Sequence, residues 1–514
     1  MTFFAILIGV YSYLIFFLGV FSILTPIAIA ILSLPFLVIT FYLLKKNLPI
    51  FLKYLFKLGK IERLLMLLIA LSICVNLIGA LGPELAFDAL WYHATLAKIY
   101  SLTHSISYIR GGLFYYSLMP RLTEMVYASA LSLGIDNLKL IHFAFGMLSL
   151  IFLYKIAIMY LPKKYALLVV AIYYSNPVVM WLSTTAYSDL SRSFFEIGAL
   201  FYFLKYWKQK SKTFLIISAI LLGFAICTKL ISIGTLLIFV FVIMVSKQDR
   251  QKIKSSILFS MTAFLVASPW FLASFYYTSN PVYPLFTHLN LPHSPFSLLS
   301  PLTFLNTFIS IFLYSPDPIS PFYISILPLF FFKAKVLLKK FGLLFLLATI
   351  CYLVWYFTSQ SGGARFLSSY LPLYTLCGIL AVRELKKKAL TFFMIITVGV
   401  IFINISYRFV ANLKYIPVIV GIQTKQDFLM KHLNFDFGDF FDENSDISNI
   451  VGNNTVLLVN MHNLFYIDFP FTLAEWGSSS FKYVLVQQAI LPSQYKKATQ
   501  IYKNDMTHVT LYKL

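Results

Sequence analysis

Long apolar runs broken by short basic ones set the pattern of this chain. Runs of about 17 residues or more, enough to cross a bilayer, recur through the first 410 positions. They predict thirteen spans: 2–24, 25–44, 64–81, 139–160, 165–186, 190–207, 213–231, 233–246, 255–275, 319–333, 341–358, 366–382 and 389–407. Two segments between spans are long and less regular, 82–138 and 276–318. The second is rich in proline and serine ("TSNPVYPLF", "LPHSPFSLLSPL"), which predicts an ordered loop with short interfacial helices. After residue 410 the period changes. "TVLLVN" (455–460) and "KYVLVQQ" (482–488) read as buried strands, "HVTLYKL" (508–514) as a more exposed one, and "TKQDFLMKHLN" (424–434) as a helix. The expected architecture is an all-α polytopic membrane domain over 1–410, with outer loops 82–138 and 276–318, followed by a small α/β domain over 411–514.

Composition supports the bilayer as solvent. The 514 residues are 60% hydrophobic and 12% charged, against about 25% charged in soluble domains, and the mean hydropathy is +0.81. A net charge of +22 would fit nucleic acid, but its distribution argues against that partner. From Ala411 onward 8 basic residues face 9 acidic ones, so the first 410 residues hold 33 basic and 10 acidic. The basic ones concentrate in short loops: Lys45–Arg63, Lys163–Lys164, Lys205–Lys212, Lys247–Lys254, Lys333–Lys340 and Arg383–Lys388. Short basic loops mark the cytoplasmic face and meet anionic lipid headgroups. The chain is therefore expected in the plasma (inner) membrane with its N-terminus cytoplasmic and its C-terminal domain extracytoplasmic. The first charged residue is Lys45, so no cleavable signal peptide is expected. Cys74, Cys227, Cys351 and Cys377 lie in apolar segments without paired spacing and read as buried free thiols.

Ten acids in 410 residues can be weighed singly. Glu62, Asp249 and Glu384 sit among lysines in cytoplasmic loops, and Asp317 suits a proline-rich turn. Glu84, Asp88, Glu124, Asp136, Asp189 and Glu196 remain, all on the outer face or the outer half of a span. In "GPELAFDALWYHATLAK", Pro83 suits the first position of a helix and Glu84 its first turn. Such a helix aligns Glu84, Asp88, Tyr92 and Thr95 on one face, with His93 and Lys98 to the sides. An amphipathic interfacial helix anchored by Trp91 and Tyr92 explains the same pattern. In "TTAYSDLSRSFFEIG", Asp189, Arg192 and Glu196 share a face. Ionisable residues inside spans usually face protein or a wet cavity, and Arg192–Glu196 can also be a self-neutralising pair. Arg121 ("LMPRLTEMVY"), Lys229 ("CTKL") and Arg365 (after Gly362-Gly363) are outer-rim cations. They suit a lipid phosphate, or snorkelling alone. The sequence carries no Walker loop, dinucleotide-binding glycine pattern or clustered metal motif, and its eight histidines are scattered. No cofactor is required by the pattern; a carboxylate-held divalent cation stays open.

The chain resembles the GT-C superfamily of integral-membrane glycosyltransferases, within it the bacterial relatives of protein mannosyltransferases and aminoarabinose transferases. "FDALWYHATLAK", "SLMPRLTEMVYASALSLG", "TTAYSDLSRSFF", "GFAICTKLISI", "PWFLASFYYTSNPVYPLF" and "RFLSSYLPLY" carry the likeness, together with "TVLLVN" and "KYVLVQQ", over roughly 64–514. The resemblance implies transfer of a hexosyl or pentosyl group from a polyprenyl-phosphate-linked donor to a glycan, lipid or protein acceptor outside the membrane. It implies Asp88 as catalytic base, in the company of Tyr92, His93 and Lys98, with Asp189, Lys229 and Arg365 binding substrate. Helical spacing adds Glu84 to the catalytic set, and their outer-face positions add Lys98, Arg121 and Glu124 to the substrate-binding set. The chain departs from the pattern in a charge-free hairpin at 1–44. Ala89 follows Asp88 where the protein mannosyltransferase branch pairs Asp with Glu, which argues against a protein acceptor. A polymerase or ligase of lipid-linked glycans would use the same equipment. A transporter or flippase would instead place charges near mid-bilayer and show repeated halves, and no fixed-period repeat is present.

Overall fold

The structure, a computed structural model, describes every residue except 247–249, 288–299, 314, 316–317, 359–362 and 478–479. Lys247, Asp249, Asp317, Gly362 and most of the "LPHSPFSLLSPL" stretch lie outside the described residues.

Helices occupy all thirteen predicted spans. Among the described residues seven are long and apolar enough to cross a membrane: Thr2–Val20, Pro26–Pro49, Lys60–Leu81, Lys139–Ala157, Lys252–Thr278, Ala334–Phe357 and Lys387–Ile419. Shorter apolar helices fill other positions, including Lys212–Thr228, Phe322–Phe332 and Leu371–Val382. Two predicted spans depart from a simple rod. The 165–186 segment breaks into Lys163–Tyr174 and Pro177–Leu182. Proline cannot donate to the preceding turn, and the Asn176 side chain instead caps the Val178 N–H at 3.3 Å. The helix Asp189–Gln209 carries charge at Asp189, Arg192 and Glu196 but is almost wholly buried, so its charges face protein rather than lipid. The second helix runs on to Phe56, into the predicted basic loop, and a new helix starts at Lys60, where Glu62 accepts from the Gly59 N–H at 2.8 Å.

Up-and-down alternation of these helices brings the outer-assigned segments to one end. There the loop after Leu81 forms a helical segment from Phe87 to Thr103, whose middle, Ala89–His93, is a π turn. The helix expected from Pro83 therefore starts four residues late. There the Pro83 carbonyl, which would accept the first bond of such a helix, is taken by Lys139, and Glu84 caps the N–H groups of the extended stretch. The Lys139 ammonium takes the carbonyls of Gly79 (2.6 Å) and Pro83 (2.9 Å). Glu84 takes the N–H groups of Leu85 (2.9 Å) and Ala86 (2.8 Å). Short helices at Gly112–Leu118 and Leu122–Ser132 complete the loop.

The C-terminal segment forms a five-stranded sheet. Its strands are β1 Val456–Val459, β2 Phe471–Leu473, β3 Tyr483–Gln487, β4 Thr499–Asn504 and β5 Val509–Lys513, in the order β2-β1-β3-β5-β4. β1 is parallel to β2 and β3, while β5 is antiparallel to β3 and β4. All three predicted strands and the 425–432 helix are present, the helix capped by Thr424. β5, expected at an exposed position, is interior because β4 covers its outer edge.

The sheet domain is seated on the 84–110 segment. Lys98 donates to the carbonyls of Phe465 (2.9 Å) and Ile467 (2.8 Å) and to Asp468 (2.7 Å). The Tyr466 hydroxyl donates to the Glu84 carbonyl at 2.8 Å, the Phe465 N–H to Leu90 O at 3.3 Å, and the Trp476 indole to Arg110 O at 2.9 Å. Behind it, Tyr415 packs against Gly82, where any β-carbon would sit 2.1 Å from the tyrosine ring. Lys98→Met keeps the side-chain length but removes three charge-assisted bonds. It should loosen the docked domain by about 1–3 kcal/mol, seen as faster amide exchange at 464–468 with protection of the Lys139–Ala157 helix unchanged.

Candidate active site

Asp88 precedes the π turn and projects toward Arg365, on the short helix Gly363–Leu367. The Asp88 Oδ2 and Arg365 Nη2 atoms are 2.7 Å apart, with side chains 15% and 17% exposed, so the pair is reachable from outside the protein. The Tyr92 hydroxyl donates to the same oxygen at 3.2 Å. Burial, then the Asp88 charge, push the Tyr92 phenol well above its ordinary pKa, so it stays protonated and keeps donating. The Asp88 N–H donates to the Tyr187 hydroxyl at 3.2 Å, and the Arg365 guanidinium lies 5.1 Å from the Tyr187 ring and 5.2 Å from Phe366. Asp88 is thus fixed from three elements.

A second ion pair adjoins the first. Lys229 reaches Asp189 at 2.8 Å and lies 4.3 Å from the Phe366 ring, which it shares with Arg365. Asp189 is fully buried at the N-terminus of its helix, where the helix dipole favours a negative charge. Its Oδ2 has no hydrogen-bond partner among the described residues. Two cations and two carboxylates therefore meet around one phenylalanine at the end of the bundle.

A third group supports the wall. His93 donates from Nδ1 to Glu124 at 2.5 Å, and Arg121 lies 3.7 Å from the same carboxylate oxygen. Burial opposes ionisation of Glu124, but the His93 hydrogen bond and the neighbouring Arg121 outweigh it and hold its pKa below the ordinary value. Arg121 stands 5.9 Å from both the Tyr92 and Tyr116 rings, which stack at 4.0 Å. Arg121 and Glu124 thus lie behind Tyr92, and His93, 3% exposed, is closed in between Tyr92 and Tyr187.

The sequence-derived candidates separate accordingly. Asp88, Tyr92 and Arg365 meet, with Asp189 and Lys229 beside them. His93, Arg121 and Glu124 form the backing layer. Glu84 leaves the expected Asp88–Tyr92 face: its carboxylate bridges the Leu85, Ala86 and Ala186 N–H groups. Lys98 is directed to the docked domain instead. Arg192 and Glu196 are the self-neutralising pair, at 3.3 Å and almost unexposed. Arg192 also donates to the Phe366 carbonyl at 3.2 Å, so the buried pair anchors the segment that carries Arg365. Tyr187, Phe366 and Tyr116 were not among the candidates, although Phe366 follows Arg365 and Tyr187 lies two residues before Asp189. His462, on the C-terminal domain 4.3 Å from Trp91, left no sequence signal at all. Among the described residues no three His, Cys, Asp or Glu side chains converge as a metal site. The four cysteines are free.

Residues 126–273 match the model of the dolichyl-phosphate-mannose-protein mannosyltransferase family, a stretch that includes Asp189 and Lys229 but not Asp88 or Arg365. Two solved structures of ArnT from Cupriavidus metallidurans are similar over nearly their whole length. The form bound to undecaprenyl phosphate aligns with TM-score 0.58 and 12% identity, covering 87% of this chain and 97% of that one. The apo form aligns with TM-score 0.59 at the same identity and coverage. The fold is that of the GT-C glycosyltransferases. No curated protein matches the sequence. Within this GT-C fold the paired charges gather at the end of the bundle on which the sheet domain sits.

Removing one member of the buried pair tests its anchoring role. Arg192→Met leaves Glu196 as an uncompensated buried carboxylate and should destabilise the protein by about 3–5 kcal/mol. Thermal unfolding in detergent reads this, and Arg192→Met combined with Glu196→Leu should recover most of the loss.

Proposed function

We propose that this chain is a multi-pass membrane glycosyltransferase that moves a sugar from a polyprenyl-phosphate-linked donor to an acceptor hydroxyl, with Asp88 as general base. The observation that carries the reading is the partly exposed Asp88–Arg365 pair beside Asp189–Lys229. A phosphate needs fixed cations more than a proton donor to become a leaving group, and guanidinium suits it bidentately. Donor phosphate entering beside Phe366 takes over Arg365 and Lys229, and Asp88 is released to the acceptor. The acceptor oxygen then bonds to the anomeric carbon, the anomeric C–O bond to phosphate breaks, the acceptor proton passes to Asp88, and polyprenyl phosphate departs. The undecaprenyl phosphate bound to the similarly folded ArnT supports a lipid-phosphate donor. Residues 1–410 form the catalytic membrane domain in this reading and 411–514 an extracytoplasmic α/β domain. A polymerase or ligase of lipid-linked glycans would differ only in the acceptor.

Asp88→Asn keeps the shape and removes the base, so turnover of lipid-linked donor by the folded, purified variant should fall by about 10²–10⁴. Arg365→Lys keeps the charge but loses the fork, and should raise the donor KM more than it lowers kcat. Near-native turnover in Asp88→Asn with a dead His93→Ala would transfer the base to His93.

The short basic loops support a site outside the cytoplasm. With Cys74 replaced by serine, cysteines at the exposed positions Ser107 and Asp468 should react with an impermeant thiol reagent on intact cells, and one at Lys339 should not. Labelling of Lys339→Cys alone would invert this orientation.

A further inference from the structure

Asp88 is paired with Arg365, beside Phe366 and Lys229. The helical segment that carries Asp88 also bears an aromatic shelf that the charge chemistry leaves unused. Phe87 and Trp91 precede and follow Asp88 on the same helical segment, with ring centroids 5.8 Å apart. His462, carried across by the C-terminal domain, lies 5.1 Å from Phe87 at an interplanar angle of 20° and 4.3 Å from Trp91. Tyr115 and Tyr116 meet the indole edge-on at 6.3 and 5.3 Å. Each of these rings is half-buried, so each keeps an open part beside a carboxylate that is itself 15% exposed. Burial holds His462 below the ordinary imidazole pKa, so near neutral pH it offers a neutral ring rather than a cation. Asn463, adjacent to it, lies 3.2 Å from Nδ1 and fixes the ring's orientation.

A shelf of neutral aromatic faces with polar edges complements one chemical class well. A pyranose ring has an apolar face of axial C–H groups and a rim of hydroxyls. Packed on an aromatic face it turns a hydroxyl outward to whatever stands at the edge, and here that is Asp88. An acyclic hydroxyl, such as a serine or threonine side chain, would leave most of this aromatic surface uncovered. Resting on the proposed base role of Asp88, we infer that Phe87, Trp91 and His462 form the acceptor subsite and that the acceptor is a sugar ring. The C-terminal domain completes the subsite through His462. With Asp88 beside the acceptor hydroxyl, direct displacement has the acceptor oxygen approach the anomeric carbon opposite the departing phosphate.

The test uses the full chain in lipid nanodiscs and a panel of methyl glycopyranosides (gluco, manno, galacto and xylo), with sorbitol as an acyclic control. Saturation-transfer NMR should show at least one pyranoside receiving magnetisation through its ring C–H protons, with sorbitol silent. Trp91→Leu and His462→Leu should each weaken that pyranoside by about two- to tenfold, the range of one aromatic contact. Phe87→Leu replaces Trp91→Leu if the latter does not fold. Undiminished transfer in folded variants, equal transfer to sorbitol, or no transfer to any pyranoside overturns the inference. The lipid-donor reading is measured apart, through Arg365-dependent binding of undecaprenyl phosphate. Loss of that binding dependence with an intact Trp91 effect would sink the donor reading and keep the shelf, and the reverse result would do the opposite.

Discussion

A charge at the rim of a bilayer is tolerated only with a partner, and that constraint organises this protein. Stripping water from an ion costs several kcal/mol even after relaxation, so each buried charge must be met by a fixed counter-charge or hydrogen bonds. Arg192 meets Glu196 and the Phe366 carbonyl, Lys229 meets Asp189, and Lys139 meets two carbonyls and the Tyr415 ring. These pairings also join elements far apart in sequence. The segment bearing Arg365 is held from the Asp189–Gln209 helix, and the loop bearing Asp88 is held from the helix that begins at Lys139. The interactions that make buried charge tolerable thereby bring the chemistry to one place.

Much of this organisation was legible in the residues. Apolar length gave the helices, and scarcity of charge made Asp88, Asp189, Lys229 and Arg365 conspicuous. Their pairing was not legible, because nothing local to Asp88 selects Arg365 over Arg121 as its partner. Glu84 misled for a similar reason. Spacing put it on the Asp88 face, but Lys139, distant in sequence, claims the Pro83 carbonyl that a helix there would have used. In the C-terminal domain, β1 and β3 announced themselves as continuous apolar runs. β4, "TQIYKN", is a mostly exposed edge strand without apolar alternation, and pairing with β5 alone defines it.

The C-terminal domain is bound to the helical segment that carries Asp88, through Lys98 one way and Glu84 and Leu90 the other. Its seat joins these hydrogen bonds to an apolar contact: Leu85 and Leu90 pack with Phe428 and Tyr466, Phe87 meets Phe437, and Phe114 meets Trp476.

The π turn at Ala89–His93 has a consequence of its own. Such a turn amounts to one residue more than an α-helix needs over the same span, and it survives only where the surroundings reward it. Removing one residue from the turn would let the segment relax into an ordinary helix over that span while the residues after it keep their orientation, so Lys98 would still reach the carbonyls it holds. A single-residue gap is therefore absorbed by the turn, whereas a gap in the regular helix that follows would rotate the later residues by about 100° and break their register with the docked domain.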